Sequence, residues 1–190
     1  MKTLTLYYAL PNEADESQTD SHALRLAAAA DYAHTSPSDF AESLGKHGKP
    51  YFSSHPNVCF SVSHSGGIWV CALSDIELGF DVQVYDKNST PDRRQRIAKR
   101  WFSPEEYRFF EERGHDEATF YELWTKKEAY VKLTGDGIAF GALPSFDTTR
   151  PIGDCIIRSL TLPCPVPHAA SVAARYEFDD IRITRVRTFV

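Results

Sequence analysis

The sequence lacks a long hydrophobic run, an excess of positive charge and a cluster of cysteines. No apolar stretch approaches the length that spans a bilayer, and residues 1–8 alternate in polarity without a signal-peptide core. The formal net charge of −5 argues against a nucleic-acid-binding surface. The four cysteines form no CxxC pair and have no metal-ligand spacing with the seven histidines. We therefore expect a soluble cytoplasmic protein that binds neither nucleic acid nor membrane.

Two common catalytic motifs are also absent. No GxSxG elbow surrounds the serines near residue 63, which disfavours a serine hydrolase. The basic loop at residues 45–51 lacks P-loop spacing, so it is either a flexible surface loop or a place where Lys49 contacts a phosphate. The chain does contain 42% hydrophobic and 13% aromatic residues over 190 positions, which predicts an ordered globular protein.

Alternating polarity and helix start and stop signals predict a mixed α/β (α+β) fold. Residues 58–64, 68–74 and 78–85 are expected to form an antiparallel meander, with a turn at Gly66-Gly67. Proline and glycine break residues 35–50 mostly into loop. The other expected strands are 3–10, 156–162, 169–176 and 181–189, and the expected helices are 21–34, 92–100, 103–114 and 116–135.

A weak similarity between two segments suggests that the fold has two related halves. Residues 68–82 and 169–183 both read as a strand, a turn with acidic residues and a second strand. We expect a single region over residues 1–190 built from two similar α/β halves, roughly 1–87 and 88–190, each with an antiparallel sheet and helices. The halves would form a pseudo-two-fold monomer, and a site between them would need only one chain.

The last expected helix carries charges in unusual places. At about 100° per residue, Lys127 projects onto the apolar stripe, whereas Glu128 and Lys132 stand together on its edge. Burying an unpaired ammonium is costly. Either Lys127 reaches out to solvent and Glu128–Lys132 is a weak surface pair, or these charges line a site in which Lys127 meets a phosphate or an acid.

Two polar groups on the predicted strands have both structural and functional interpretations. Asp81 and Gln83 share the polar face of one strand, where they are either solvated or part of a magnesium site. Mg²⁺ is typically held by one or two carboxylates plus substrate phosphates, so Asp81 and Glu128 would suffice. Ser63 and His64 end another strand, either as ordinary turn residues or as an anion pocket.

Positive charge is concentrated in the helix expected at residues 92–100. This helix is either a solvated surface or a docking surface for an acidic partner, where charges mainly raise the association rate and specificity. The basic residues are Arg93, Arg94, Arg96, Lys99 and Arg100.

Five motifs follow one another in an order that resembles the Sfp-type 4′-phosphopantetheinyl transferase family. That family's pattern runs GKP, SHSG, G-[IV]-D-[IV]-E, FFS-x-x-E and W-x-x-KEA-x-x-K-x-x-G. The resemblance covers about residues 49–135, and the last motif is the most specific. The matching segments are Lys49-Pro50, Phe60 to Gly66, Gly79 to Gln83, Trp101 to Glu106 and Trp124 to Gly135.

The resemblance implies a holo-acyl-carrier-protein synthase, that is, a 4′-phosphopantetheinyl transferase. Such an enzyme moves the phosphopantetheine arm of coenzyme A onto a serine of an acidic acyl or peptidyl carrier protein and releases adenosine 3′,5′-bisphosphate. The reaction serves fatty-acid, polyketide or nonribosomal-peptide biosynthesis and requires Mg²⁺. A relative that binds coenzyme A or a carrier without transfer is the alternative.

The resemblance also implies roles for individual residues. Asp81 and Glu128 would hold Mg²⁺, and Glu128 would take the proton of the acceptor serine. Lys132 would neutralise charge on the leaving phosphate. Glu106 would serve as a ligand or base, or only as the third residue of a capping box that begins at Ser103. The expected nucleotide contacts are Lys49, Ser63, His64 and Lys132, together with Lys127.

Two departures from the family's pattern bear on these roles. Gln83 replaces the second acid after Asp81, so one negative charge is lost, although an amide oxygen can still bind a metal. The family's D-A-H-R element is represented by residues 20–23, which lack the arginine. Arg25 is the expected substitute for coenzyme A binding.

Overall fold

The structure is a computed structural model that describes residues 1–10, 21–45, 48–135 and 143–186. Its strands are β1 (Thr3–Ala9), β2 (Glu42–Leu44), β3 (Pro50–Phe52), β4 (Cys59–Ser65), β5 (Ile68–Ser74), β6 (Leu78–Val84), β7 (Ile156–Leu160), β8 (His168–Ala174) and β9 (Asp180–Arg185). Its α-helices are α1 (Ser21–Ala33), α2 (Pro91–Trp101), α3 (Pro104–Glu112) and α4 (Glu117–Thr134). The predicted mixed α/β class with antiparallel sheets and helices is confirmed.

The strands form two main sheets that share one buried core. One sheet has the order β4-β5-β1-β9 and the other has the order β6-β8-β7. Leu4, Leu6 and Val70 of the first sheet meet Phe80 and Val172 of the second in one buried cluster. The apolar sides of the alternating strands therefore form the core between the sheets.

The predicted meander is correct for its first two strands and wrong for the third. β4 and β5 pair as a hairpin, and Gly66 and Gly67 in its turn have φ of 54° and 80°. The free edge of β5 pairs with β1, so β6 instead pairs with β8 in the second sheet. The β1–β9 pair is parallel, unlike the other pairs between named strands in the described residues.

The sheets exchange strands along the chain. β6, at the end of residues 1–87, pairs with β8, and β9, at the end of residues 88–190, pairs with β1. The division of the chain into two like halves remains a prediction.

The local cap motifs predict the ends of α3 and α4 correctly. α4 begins after the Asp116 cap and ends at Gly135, which has φ of 69°. The Ser103–Glu106 capping box opens α3. The expected loop at residues 35–50 instead includes the short strand β2 and the first residue of β3.

Some expectations fall on residues that the structure does not describe. The expectations outside the described residues are the Asp20 cap, the loop at residues 12–20, Lys46 and His47 of the basic loop, and the end of the last strand beyond residue 186. Within the described ranges, none of the helices combines the length and apolar character of a membrane span.

Candidate functional site

Helix α4 lies directly against strand β6, and a glycine makes this approach possible. A Cβ atom on Gly79 would overlap the carbonyl of Ala129 and the amide nitrogen of Leu133. Because alternate residues of a strand share a face, Asp81 lies on the same side of β6 as Gly79. The polar side of β6 is therefore turned towards α4 rather than towards solvent, and Asp81 is buried.

The Asp81 carboxylate is held by two neighbouring side chains. Ser63 Oγ donates a hydrogen bond of 2.7 Å to Asp81 Oδ1. Lys132 Nζ, from α4, lies 2.8 Å from the same oxygen and 3.3 Å from the carbonyl oxygen of Val62. Lys132 thus pairs with Asp81, and the alternative in which Glu128 and Lys132 form a surface pair is not among the ion pairs of the described residues.

Glu128 is buried beside this pair and holds its proton unusually tightly. Burial raises its pKa, the Asp81 carboxylate raises it further and Lys132 partly opposes both, so that the pKa is about 7. Only 8% of the residue is exposed. A carboxyl group with a pKa near neutrality can exchange a proton at physiological pH.

A cavity of about 320 Å³ opens beside these residues. Glu128, Val131 and Lys132 of α4 form one wall. Phe60 and Val62 of β4 form another wall. Its remaining lining comes mainly from Gly48, Lys49, Pro50 and Gly135.

Lys49 lies between this cavity and a second one of about 440 Å³. Its ammonium is 3.0 Å from Glu77 Oε2 and 3.4 Å from the carbonyl oxygen of Leu133. The lysine therefore joins the start of β3 to the end of α4 and, with Lys132, brings positive charge to the cavity.

The other expected nucleotide contacts have different surroundings. His64 is exposed and shares a face of β4 with the cavity residues Phe60 and Val62. Arg25 forms a bidentate ion pair with Glu42, and its guanidinium lies 5.5 Å from the centre of the Phe60 ring.

Gln83 lies on the same face of β6 as Asp81. Its amide nitrogen donates to Ser65 Oγ at 2.9 Å and to the carbonyl oxygen of Val84 at 3.2 Å. Because both of these bonds use the amide nitrogen, the amide oxygen is the atom suited to a metal.

Lys127 and Glu106 lie apart from the cavity in a closed network. Lys127 Nζ is 2.7 Å from Glu106 Oε2, and the side chains are 1% and 0% exposed. The ammonium also donates to the carbonyl oxygens of Leu143 and Phe146, at 2.6 and 2.9 Å. The expectation that Lys127 meets an acid is therefore met. Its enclosure does not support a phosphate contact, because protein groups surround the charge.

Glu106 uses both of its carboxylate oxygens within the protein. Oε2 accepts the Ser103 amide at 2.8 Å, and Oε1 accepts the amide and hydroxyl of Thr148 at 2.8 and 2.6 Å. These bonds and the Lys127 pair support the capping-box interpretation of Glu106. They give no support to a role as metal ligand or base.

Three residues that contact or make room for the predicted site residues were not singled out from the sequence. Gly79 could have been found, because a glycine inside an alternating strand indicates a close backbone approach. Glu77 and Thr148 gave no such signal. Their partners, Lys49 and Glu106, are 28 and 42 residues away.

The donor set agrees with the chemistry of magnesium. Asp81 and Glu128 bring two carboxylates near one ammonium, and burial, followed by the charge of Asp81, raises the pKa of Glu128. The described residues contain no group of three or more His, Cys, Asp or Glu that could hold a metal. Mg²⁺ commonly uses one or two carboxylates, waters and substrate phosphates, so the residues fit this ion.

Comparisons with known proteins match this part of the chain. A sequence model of the 4′-phosphopantetheinyl transferase superfamily matches residues 77–169. The chain is 37% identical over 118 residues to a 4′-phosphopantetheinyl transferase of Bacillus subtilis, covering 61% of this chain and 50% of the relative. It is 36% identical over 104 residues to 4′-phosphopantetheinyl transferase Sfp of Bacillus subtilis (strain 168), covering 54% and 44%.

A third relative comes from another organism. The chain is 35% identical over 130 residues to 4′-phosphopantetheinyl transferase AcpT of Salmonella typhimurium, covering 65% of each protein. The chain spans about half the length of the first two relatives. The family model includes the Asp81 strand and the whole of α4, where the site residues meet. The part of the chain that carries these site residues is therefore similar to the 4′-phosphopantetheinyl transferase superfamily.

Proposed function

We propose that the protein transfers the 4′-phosphopantetheine arm of coenzyme A to a serine of an acyl or peptidyl carrier protein, with Mg²⁺. The observation that carries this proposal is that Lys49, Glu128 and Lys132 line one cavity, while Asp81 pairs with Lys132 and raises the pKa of Glu128. Two ammonium groups and two carboxylates are the charges that a pyrophosphate and its metal ion need.

The phosphates of coenzyme A would lie between the two lysines. Lys49 and Lys132 line the cavity from opposite elements, and His64 follows Val62 on the same face of β4. Mg²⁺, held by Asp81 and Glu128 with the Gln83 amide beside them, would supply positive charge to the pyrophosphate. Lys132 would neutralise the charge that develops on the leaving phosphate.

Glu128 would act as the general base. Without a metal ion the pKa of Glu128 is raised to about 7. Mg²⁺ beside the same carboxylate would favour its ionised form, which is the form that accepts a proton. As the serine oxygen bonds to phosphorus, its proton moves to a carboxylate oxygen of Glu128. The bond from phosphorus to the leaving phosphate oxygen breaks, and adenosine 3′,5′-bisphosphate leaves.

The carrier protein would approach along helix α2. Arg93, Arg96, Lys99 and Arg100 are exposed on this helix, whereas Arg94 is buried and paired with Glu117. Such a surface suits an acidic partner and would raise the association rate. The carrier would belong to fatty-acid, polyketide or nonribosomal-peptide synthesis.

We also propose that the protein works as a cytoplasmic monomer. The residues of the proposed site all come from one chain. The four cysteines are free thiols, which is usual in a reducing compartment.

The test is incubation with coenzyme A, Mg²⁺ and a panel of apo-carrier proteins, followed by intact mass measurement of each carrier. Glu128→Gln should slow transfer by about 10²–10⁴-fold, the usual contribution of a general base. Glu122→Gln is the matched control, because Glu122 is a half-exposed acid of the same helix that pairs with Lys126. Full activity of Glu128→Gln would refute the role of this residue. Binding of coenzyme A without transfer to any carrier would favour the non-catalytic alternative.

A further inference from the structure

Strands β4 and β6 lie side by side but belong to different sheets, and serine hydroxyls join them. Ser61 Oγ accepts the amide of Phe80 at 2.9 Å, and Ser63 Oγ accepts the amide of Val82 at 3.2 Å. Ser65 Oγ repeats the pattern with the next alternate residue of β6, Val84, at 3.0 Å. The hydroxyls thus take the place of the carbonyl oxygens that would accept these amides in a continuous sheet.

Ser63, the middle serine, differs from the other two because its hydroxyl donates a hydrogen bond to a carboxylate. A serine hydroxyl has one proton to donate, and Ser63 gives it to Asp81 Oδ1 at 2.7 Å. A phosphate oxygen can only accept hydrogen bonds. Ser63 would therefore have to release Asp81 before it could bind a phosphate. The residue is 5% exposed, and it faces the side of β4 opposite to His64.

We propose that Ser63 is a positioning residue for Asp81 rather than a contact of the nucleotide phosphates. This inference rests on the proposed function, in which Asp81 binds the metal. Ser63 and Lys132 both bind Oδ1, and no other hydrogen bond to this carboxylate is described. The two bonds fix the plane of the carboxylate and keep Oδ2 for the cation. Groups that orient a metal ligand in this way typically contribute 10–100-fold to metal affinity.

The test measures metal binding directly. Mn²⁺ serves as a paramagnetic substitute for Mg²⁺, and its free concentration is followed by electron paramagnetic resonance in the absence of coenzyme A. Ser63→Ala should weaken Mn²⁺ binding about tenfold. Ser63→Thr keeps the hydroxyl and should restore most of the affinity. Ser61→Ala removes an equivalent acceptor of a β6 amide without touching Asp81, so it should bind Mn²⁺ like the unaltered protein.

A second titration separates the two interpretations of Ser63. Coenzyme A is titrated calorimetrically into the same proteins in the presence of EDTA. We expect the affinity of Ser63→Ala to stay within about twofold of the unaltered protein, since no phosphate contact is lost. Weaker coenzyme A binding with unchanged Mn²⁺ binding would overturn the inference. Failure of the unaltered protein to bind Mn²⁺ would instead overturn the proposed metal site, and this inference with it.

Discussion

Replacing Lys127 by methionine should destabilise the protein strongly, although it removes a charge from the inside of the fold. The substitution keeps the length of the side chain and leaves the Glu106 carboxylate, which is 0% exposed, without its cation. Ser103 and Thr148 still donate to that carboxylate, whereas the carbonyl oxygens of Leu143 and Phe146 lose the hydrogen bonds from Lys127 Nζ. The Glu106 carboxylate therefore loses only the Lys127 ammonium.

The expected cost follows from the burial of both groups. Burial lowers the pKa of Lys127, and Glu106 opposes that effect by favouring the charged form. Removing one partner of such a buried pair costs about 3–5 kcal/mol, because the other charge is left uncompensated. This is a large share of the ~5–15 kcal/mol by which domains are usually stable. In the double variant Glu106→Gln/Lys127→Met, the cost should be about 2 kcal/mol less than the sum of the single costs.

The assay is urea unfolding followed by tryptophan fluorescence and circular dichroism. Lys126→Met is the matched control, because Lys126 is the preceding residue of α4 and also pairs with a glutamate, at 2.7 Å from Glu122. Glu122 is partly exposed, so this control should cost no more than about 1 kcal/mol. The reasoning fails if Lys127→Met costs no more than Lys126→Met, or if the two effects in the double variant simply add.

Two other predictions concern the packing and the charge of the site. Gly79→Ala should destabilise the protein by about 3 kcal/mol or more in thermal unfolding, because the new methyl group overlaps the backbone of α4; a change below ~1 kcal/mol would contradict the close approach. The raised pKa of Glu128 means that the folded state holds this proton more tightly than the unfolded chain, whose value is 4.5. The stabilisation of the folded state by this proton is complete below pH 4.5 and is lost as the pH rises through about 7. Urea titrations in EDTA should therefore show a fall in stability of up to about 3 kcal/mol over this range, at ~1.36 kcal/mol per pKa unit. Glu128→Gln should remove most of this dependence of stability on pH. If the dependence were unchanged, groups other than Glu128 would be its cause.

The features that sequence reasoning predicted well depend on neighbouring residues. The Asp116 cap and the Gly135 stop set the ends of α4, and the Ser103–Glu106 box opens α3. Each signal acts within one helical turn, so its energy does not depend on the rest of the fold. The turn at Gly66-Gly67 is local for the same reason, since it needs only a backbone that tolerates positive φ.

Strand pairing could not be predicted in the same way. Alternation identified β6 as a strand, but it does not say which edge the strand joins. β1 takes the edge of β5 that a meander would have given to β6, and β6 pairs with β8 about 90 residues later in the chain. The outcome depends on competition among edges, and no local pattern encodes it.

The difference between local signals and contacts with distant residues also explains which partners the charged residues of α4 have. Helical geometry correctly placed Glu128 and Lys132 on one side, about 40° apart, with Lys127 about 100° from Glu128. It favoured a Glu128–Lys132 contact because such i,i+4 pairs need no other element. A buried carboxylate on a neighbouring strand changes the preference, since the 7% exposed Asp81 loses more water than a surface acid does. Lys132 therefore pairs with Asp81, and Lys127 pairs with Glu106 on another side of the helix. Among the described residues Glu128 forms no ion pair. Burial and the Asp81 carboxylate therefore raise its pKa to about 7, although Lys132 partly opposes them.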